Sequence, residues 1–263
     1  MMTNADLPTL KARLSDGQTL FGSLVTIAST EVAEIMSMSG FDFLWIDLEH
    51  GSIDIGSAQR MIQTASARCP CLVRVPENRD VWFKKVLDLG CAGVVVPQVQ
   101  TPEDVRAAVR SCLYPPAGQR SVGLARAQGY GRTFTDYIQR ANDDLLIVIQ
   151  IEHRAAVDHL EEILSEPGIG CLLVGPYDLS GSMGVLGQVT HPDVENAVQK
   201  VRAACERVRM PSGVFTSSGD AARARAAEGF RLVAMGMDVG FLTEAVTRAI
   251  AQARAAVGRS SGT

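Results

Sequence analysis

Glu152 and Asp178 each follow an apolar run, Leu145-Leu-Ile-Val-Ile-Gln-Ile-Glu152 and Cys171-Leu-Leu-Val-Gly-Pro-Tyr-Asp178. A carboxylate directly after a buried strand needs a cation or several donors, because an uncompensated charge out of water is costly. The two acids lie about one strand–helix–strand step apart, so consecutive parallel strands would set both on one rim of one sheet. Hard oxygen ligands suit Mg²⁺ or Mn²⁺. The plainer alternative is that each acid caps the helix after it or pairs with an arginine. Recurrence of the pattern in successive units favours the metal.

Other strand ends carry matching chemistry. Trp45-Ile-Asp-Leu-Glu-His-Gly51 supplies Asp47, Glu49 and His50. A histidine beside an acid can shuttle protons, since the acid fixes its tautomer and raises its basicity. Leu72-Val-Arg-Val-Pro76 places Arg74 in an apolar strand. That arginine needs an anion, either a substrate oxygen or a buried partner such as Glu49 or Asp88. Gln150 precedes Glu152 by two residues, so both point to one side of their strand. The lysines, Lys11, Lys84, Lys85 and Lys200, all fall in expected helices. A Schiff-base mechanism, which needs a desolvated lysine facing the substrate, is therefore excluded. There is no G-x-S-x-G elbow. His153, His159 and His191 read as helix-start or surface residues, which disfavours a histidine-rich zinc site. Two metal-binding acids, one arginine and one histidine–acid pair suit enolisation of a 2-oxo acid.

These residues need a scaffold that collects strand ends. Strands are expected near 21–26, 43–47, 71–75, 92–96, 145–151, 171–175, 212–215 and 231–236. Helices are expected near 30–38, 54–67, 80–89, 101–112, 154–164, 191–209, 219–228 and 240–256. Val94-Val-Val96 and Leu145-Leu-Ile-Val-Ile149 are continuously apolar, as strands covered on both faces should be. Thr101-Pro-Glu-Asp offers an N-cap with proline behind it, and Gly40, Gly90 and Gly229 sit where helices should stop. The alternation, with no linker-like stretch, predicts an α/β fold: one (β/α)₈ TIM barrel over residues 1–263, its floor covered by a helix near 7–15. An open doubly wound sheet is less favoured, because no G-x-G-x-x-G follows the first strand. Gly181-Ser-Met-Gly-Val-Leu-Gly187 reads as a flexible loop.

Composition narrows the partners. The 263 residues carry a net charge of −4, 46% hydrophobic and 5% aromatic residues, and no basic block. That argues against nucleic acid. The six cysteines lack metal-type spacing and read as reduced thiols of a cytoplasmic protein. Met1-Met-Thr-Asn-Ala-Asp lacks a secretion pattern, and no run approaches the ~20 apolar residues of a membrane span. Residues 113–133 break the rhythm: the segment is long, rich in glycine, and carries Arg120, Arg126 and Arg132. Such loops are usually functional or disordered. Arg126 or Arg132 is expected to shape acceptor entry, in its own or a neighbouring subunit's site, the alternative being a solvated loop or a subunit contact.

Several of these stretches together resemble the HpcH/HpaI aldolase family of divalent-metal pyruvate aldolases. The resemblance rests on Phe41-Asp-Phe-Leu-Trp-Ile-Asp-Leu-Glu-His-Gly51, Val73-Arg-Val-Pro76, Val96-Pro-Gln-Val-Gln100, Tyr114-Pro-Pro-Ala-Gly-Gln-Arg120, Gln150-Ile-Glu152 and Gly175-Pro-Tyr-Asp-Leu-Ser180. It implies a TIM barrel with Mg²⁺, Mn²⁺ or Co²⁺ on Glu152 and Asp178, and no organic cofactor. It implies that His50 and Asp47 form a dyad acting through a metal-held water. Arg74 would contact the keto oxygen, while Gln150, Pro176 and Tyr177 would line the pyruvate pocket. Asp88 matches an acid given to a neighbouring subunit's site. The family exchanges its last helix between subunits and forms a hexamer, a trimer of dimers. The expected reaction is reversible aldol addition of pyruvate or hydroxypyruvate to an aldehyde. The rival reading is a CoA-thioester lyase of the citrate/malyl-CoA lyase type, for which no basic patch to hold the CoA phosphates is evident. Ser121-Val-Gly-Leu-Ala-Arg-Ala-Gln-Gly-Tyr-Gly131 departs from the relatives' pattern, which leaves the acceptor aldehyde open.

Overall fold

The computed structural model describes residues 8–258. The opening hexapeptide read for a secretion signal lies outside them, as does position 7 of the expected first helix. Eight parallel strands close into a barrel in sequence order. They are β1 Leu20–Val25, β2 Phe43–Asp47, β3 Cys71–Arg74, β4 Gly93–Val96, β5 Leu146–Ile151, β6 Cys171–Val174, β7 Ser212–Thr216 and β8 Leu232–Met237. Each falls within about a residue of its expected place.

The helices are α1 Leu10–Ser15, α2 Thr30–Ser37, α3 Ile55–Ala65, α4 Asp80–Asp88, α5 Pro102–Cys112 and α6 Phe134–Asp144, followed by α7 Arg154–Asp158, α8 Leu160–Leu164, α9 Pro176–Ser182, α10 Pro192–Arg207, α11 Gly219–Glu228 and α12 Asp238–Gly258. The boundary signals act as expected. Thr101 caps α5 in a capping box with Asp104. Gly229 ends α11 at φ 110°, a backbone state that a side chain would strain. Three details differ from the sequence reading, the first being α9, a short helix directly after β6 that was not expected. The helix expected over 154–164 is two short helices meeting at His159. An unexpected helix, α6, follows the long loop. Its one buried residue is Ala141, so it carries almost no core periodicity to read.

Strand alternation divides the core in two. Leu44, Ile46, Val73, Ile147 and Ile149 face the helices. Phe43, Trp45, Leu72, Leu146 and Val148 fill the barrel interior. Continuing that period-two pattern to the strand ends puts Asp47, Arg74 and Gln150 on the interior face, in its uppermost layer. Polar side chains thus stand where the lower layers are apolar. All three are buried. Among the described residues, no helix is long and apolar enough to cross a membrane.

Candidate active site

Asp47 and Arg74 are register partners on β2 and β3. Arg74 Nε donates to Asp47 Oδ1 at 2.9 Å and Nη2 donates to Oδ2 at 2.7 Å. This is a bidentate fork, the strongest geometry open to this pair. The backbone N–H groups of Glu49 and His50 also donate to Asp47 Oδ1, at 3.0 and 3.4 Å. Burial alone would raise the Asp47 carboxyl; the Arg74 bonds and charge outweigh it and hold the group below the usual carboxylate range. Arg74 Nη1 lies 3.1 Å from Glu49 Oε2 and 3.5 Å from Gln150 Oε1. The guanidinium stands 5.2 Å from the Trp45 ring centroid, a cation–π contact that supports its orientation.

The expected Asp47–His50 dyad is not formed in this geometry. Asp47 spends its oxygens on Arg74 and the backbone. The acid beside the imidazole is Glu49, 3.8 Å from Nε2, and the His50 side chain is 66% exposed at the barrel mouth. The physical reason is register: a neighbouring strand offers Asp47 a rigid cationic fork, whereas His50 lies beyond the strand end.

Glu152 is buried just past β5. Gln98 N–H donates to its Oε1 at 2.6 Å, and the Gln150 amide donates to its Oε2. Burial pushes its carboxyl up to about 7, with the charges of Glu49 and Asp178 adding to the rise and the Gln98 bond and Arg74 opposing it. Gln98 was not singled out in the sequence. Its φ of 57° is uncommon for a side-chain-bearing residue, and its amide also donates to Glu49 Oε1 at 2.9 Å. It therefore joins two of the site's carboxylates. The signal for it lay in the Val96-Pro-Gln-Val-Gln100 stretch at the end of β4.

Asp178 sits in the first turn of α9, after β6. Glu49, His50, Gln98, Glu152 and Asp178 line one cavity of about 410 Å³ at the mouth. A second, of about 480 Å³, is lined by His50, Arg74, Gln150, Pro176, Tyr177 and Asp178 among others. Among the described residues, no group of three or more His, Cys, Asp or Glu is arranged to enclose a metal ion. The arrangement fits a cation of the Mg²⁺ type, which is bound through one or two carboxylates and keeps its other positions for water and substrate oxygens. Glu49 and Asp178 add to the rise that burial imposes on Glu152, a repulsion that a cation would offset.

Two expected site residues stand elsewhere. Asp88 ends α4 and faces Arg120, whose Nη2 donates to Asp88 Oδ1 at 3.1 Å. Arg126 donates to Leu89 O at 2.9 Å and to Ser66 Oγ at 2.8 Å, at the C-terminal ends of α4 and α3. Helices after strands run back to the barrel floor, so both residues lie at the end opposite Glu152 and Asp178. Within one chain, the structure does not bring Arg126 or Asp88 to the mouth. The loop that carries Arg126 winds into a 3₁₀ turn over Arg126–Gly131. Arg120 anchors it from within, buried 4.5 Å from the Tyr114 ring centroid and hydrogen-bonded to Tyr137 Oη.

Comparison with known proteins agrees with this architecture. A hydroxypyruvate/pyruvate aldolase of Roseobacter denitrificans is 37% identical over 241 residues, covering 90% of this chain and 94% of the relative. A 5-keto-4-deoxy-D-glucarate aldolase of Shigella boydii is 34% identical, covering 90% and 93%. The crystal structure of an HpcH/HpaI aldolase/citrate lyase family protein from Burkholderia cenocepacia superposes with a TM-score of 0.89 at 35% identity, covering 93% of this chain and 98% of that one. The family model described as HpcH/HpaI aldolase/citrate lyase matches residues 21–245. The chain belongs to the HpcH/HpaI aldolase/citrate lyase family.

Proposed function

We propose that this protein is a divalent-metal-dependent aldolase that joins pyruvate or hydroxypyruvate reversibly to an aldehyde, and so cleaves 4-hydroxy-2-oxo acids. The observation that carries the reading is the Asp47-braced Arg74 beside Gln150 and the Glu152–Asp178 pair, all at one barrel mouth. Glu152 and Asp178 would hold Mg²⁺, Mn²⁺ or Co²⁺. When bound, the metal supplies Lewis-acid polarisation of the oxo acid's carbonyl.

The chain's own residues do the rest. Arg74 stays charged and aimed because Asp47 grips two of its nitrogens; Nη1, in contact with Glu49 and Gln150, would turn one of its two N–H groups to the keto oxygen. As negative charge develops there on enolisation, this preorganised donor stabilises it without reorganising. Gln150 orients the acid by its amide. Pro176 and Tyr177 wall the oxo-acid pocket. His50, exposed at the rim, holds and returns the proton exchanged with the substrate's C3, with Glu49 as the nearby acid.

The proposed assembly is a homohexamer. The last helix, α12, leaves Leu242, Val246 and Ile250 about half exposed, an apolar stripe that a neighbouring copy could cover. Asp88, at the floor end of α4 and away from its own mouth, would serve another copy's site. Six free cysteines support a reducing, cytoplasmic setting. The test is a lactate-dehydrogenase-coupled screen of 4-hydroxy-2-oxo acids with each metal. Metal-dependent release of pyruvate or hydroxypyruvate supports the proposal; metal-independent cleavage contradicts it.

A further inference from the structure

The 480 Å³ cavity at the mouth is divided by chemistry. One side carries His50, Arg74, Gln150 and Asp178. The other is walled by Leu24, Trp45, Tyr177, Phe215, Met237 and Phe241. The wall is built, not incidental. The Tyr177 and Phe215 rings pack at 6.4 Å with a 59° tilt. The Phe241 ring lies over Gly236, whose φ is +61° and whose Cβ, if it had one, would meet that ring at 2.6 Å.

The charges around this wall are as telling. The cavity's lining arginine is Arg74, already gripped by Asp47 and 3.1 Å from Glu49. The oxo acid claims what remains of it, and His50 is claimed by proton transfer. The carboxylate on the apolar side is Glu244, in the second turn of α12. Its partner Arg248 is a turn farther along the helix and does not line the cavity. Among the described residues lining the cavity, a carboxylate arriving on the second substrate finds no cation beyond Arg74 and His50, and it meets Glu244.

We infer that the acceptor aldehyde is uncharged, with an apolar substituent seated on the Tyr177–Phe215–Phe241 wall, and that Glu244 selects against anionic acceptors. This rests on the aldolase reading and deepens it by naming the acceptor class. The step balances without an oxidant. A C3–H bond of the oxo acid breaks and its proton passes to the protein. C3 bonds to the aldehyde carbon, and the aldehyde oxygen takes up a proton to become the 4-hydroxyl. Burial of the alkyl group against the wall favours the neutral acceptor. Desolvation of an unpaired carboxylate disfavours the charged one.

Two acceptors of matched shape test it: 4-methylpentanal, and 4-oxobutanoate, in which a carboxylate replaces the isopropyl end. With Mn²⁺-loaded protein and pyruvate, kcat/KM for 4-methylpentanal should exceed that for 4-oxobutanoate by about 10- to 100-fold. Glu244→Arg should narrow that ratio by about tenfold. Exchange of the pyruvate methyl protons with solvent, followed without aldehyde, reports the first half-reaction alone. If wild-type protein exchanges those protons yet uses 4-oxobutanoate as well as or better than 4-methylpentanal, the acceptor inference is overturned while the aldolase reading stands. If Glu244→Arg leaves the ratio unchanged, Glu244 is not the selecting group and that part of the inference is wrong. If no exchange occurs with any metal, the aldolase reading fails and the acceptor inference falls with it.

Discussion

Asp47 and Arg74 face each other across the β2–β3 ladder, joined by two hydrogen bonds of 2.9 and 2.7 Å in the top layer of the barrel interior. The pair does two things at once. It satisfies a buried guanidinium, and it fixes which nitrogen is left for substrate.

Replacing Asp47 should therefore be costly in both respects. Removing one partner of a buried ion pair typically costs about 3–5 kcal/mol; Asp47→Ala should fall in that range and raise KM for pyruvate. The native carboxyl is held low, so its contribution is present above the unfolded carboxylate range and is lost as pH falls through the native value. Urea denaturation of wild type and Asp47→Asn, near neutrality and again in acid, should show the stability gap closing in acid. A gap that is constant with pH would show that the carboxylate's charge is not what matters.

Glu152 should titrate in the opposite sense. Its folded-state value is raised from 4.5 to about 7, mainly by burial. Such a group favours the folded state below 4.5, and that contribution is lost as pH rises through about 7. Metal-free protein should lose melting temperature across this window, and Glu152→Gln should flatten the loss. Mn²⁺ should raise the melting temperature more above the window than below it, where a proton competes for the same oxygens. An equal metal shift on both sides would argue against Glu152 as a ligand.

His50→Ala should lower kcat by about 10²- to 10⁴-fold, the usual contribution of general acid–base catalysis. Pyruvate affinity should persist, since Arg74 and Gln150 do not depend on the imidazole. Unchanged residual kcat with lost pyruvate binding would reassign His50 to substrate holding.

Arg126→Ala should act on stability. Its guanidinium ties the 126–131 turn to the ends of α3 and α4, and loss of hydrogen bonds from a charged group costs roughly 1.5–3 kcal/mol. The melting temperature should fall while the acceptor ratio of the wild type is kept. A changed acceptor ratio at unchanged melting temperature would place Arg126 at a neighbouring copy's mouth instead.

The barrel was legible because short apolar runs, continuous at 94–96 and 146–149, alternate with helices whose caps are readable, as at Thr101 and Gly229. The positions of Glu152, Asp178, Arg74 and Gln150 at strand ends followed directly. The partner of Asp47 did not, because it is set by the Asp47–Arg74 register, which no local spacing reveals. Gln98 was hidden for a related reason: its backbone N–H, not a recognisable side-chain motif, meets Glu152. Helix α6 was missed because it buries little beyond Ala141, and Arg126 misled because a glycine-rich, arginine-bearing loop looks alike whether it meets substrate or the ends of two helices.

The most direct test of the account is solvent exchange of the pyruvate methyl protons, followed by NMR in heavy water without any aldehyde. The account predicts exchange with Mg²⁺ or Mn²⁺, its loss on chelation, its recovery when metal is restored, and its near-absence in Glu152→Ala. Exchange that persists undiminished in chelator or in Glu152→Ala would contradict it.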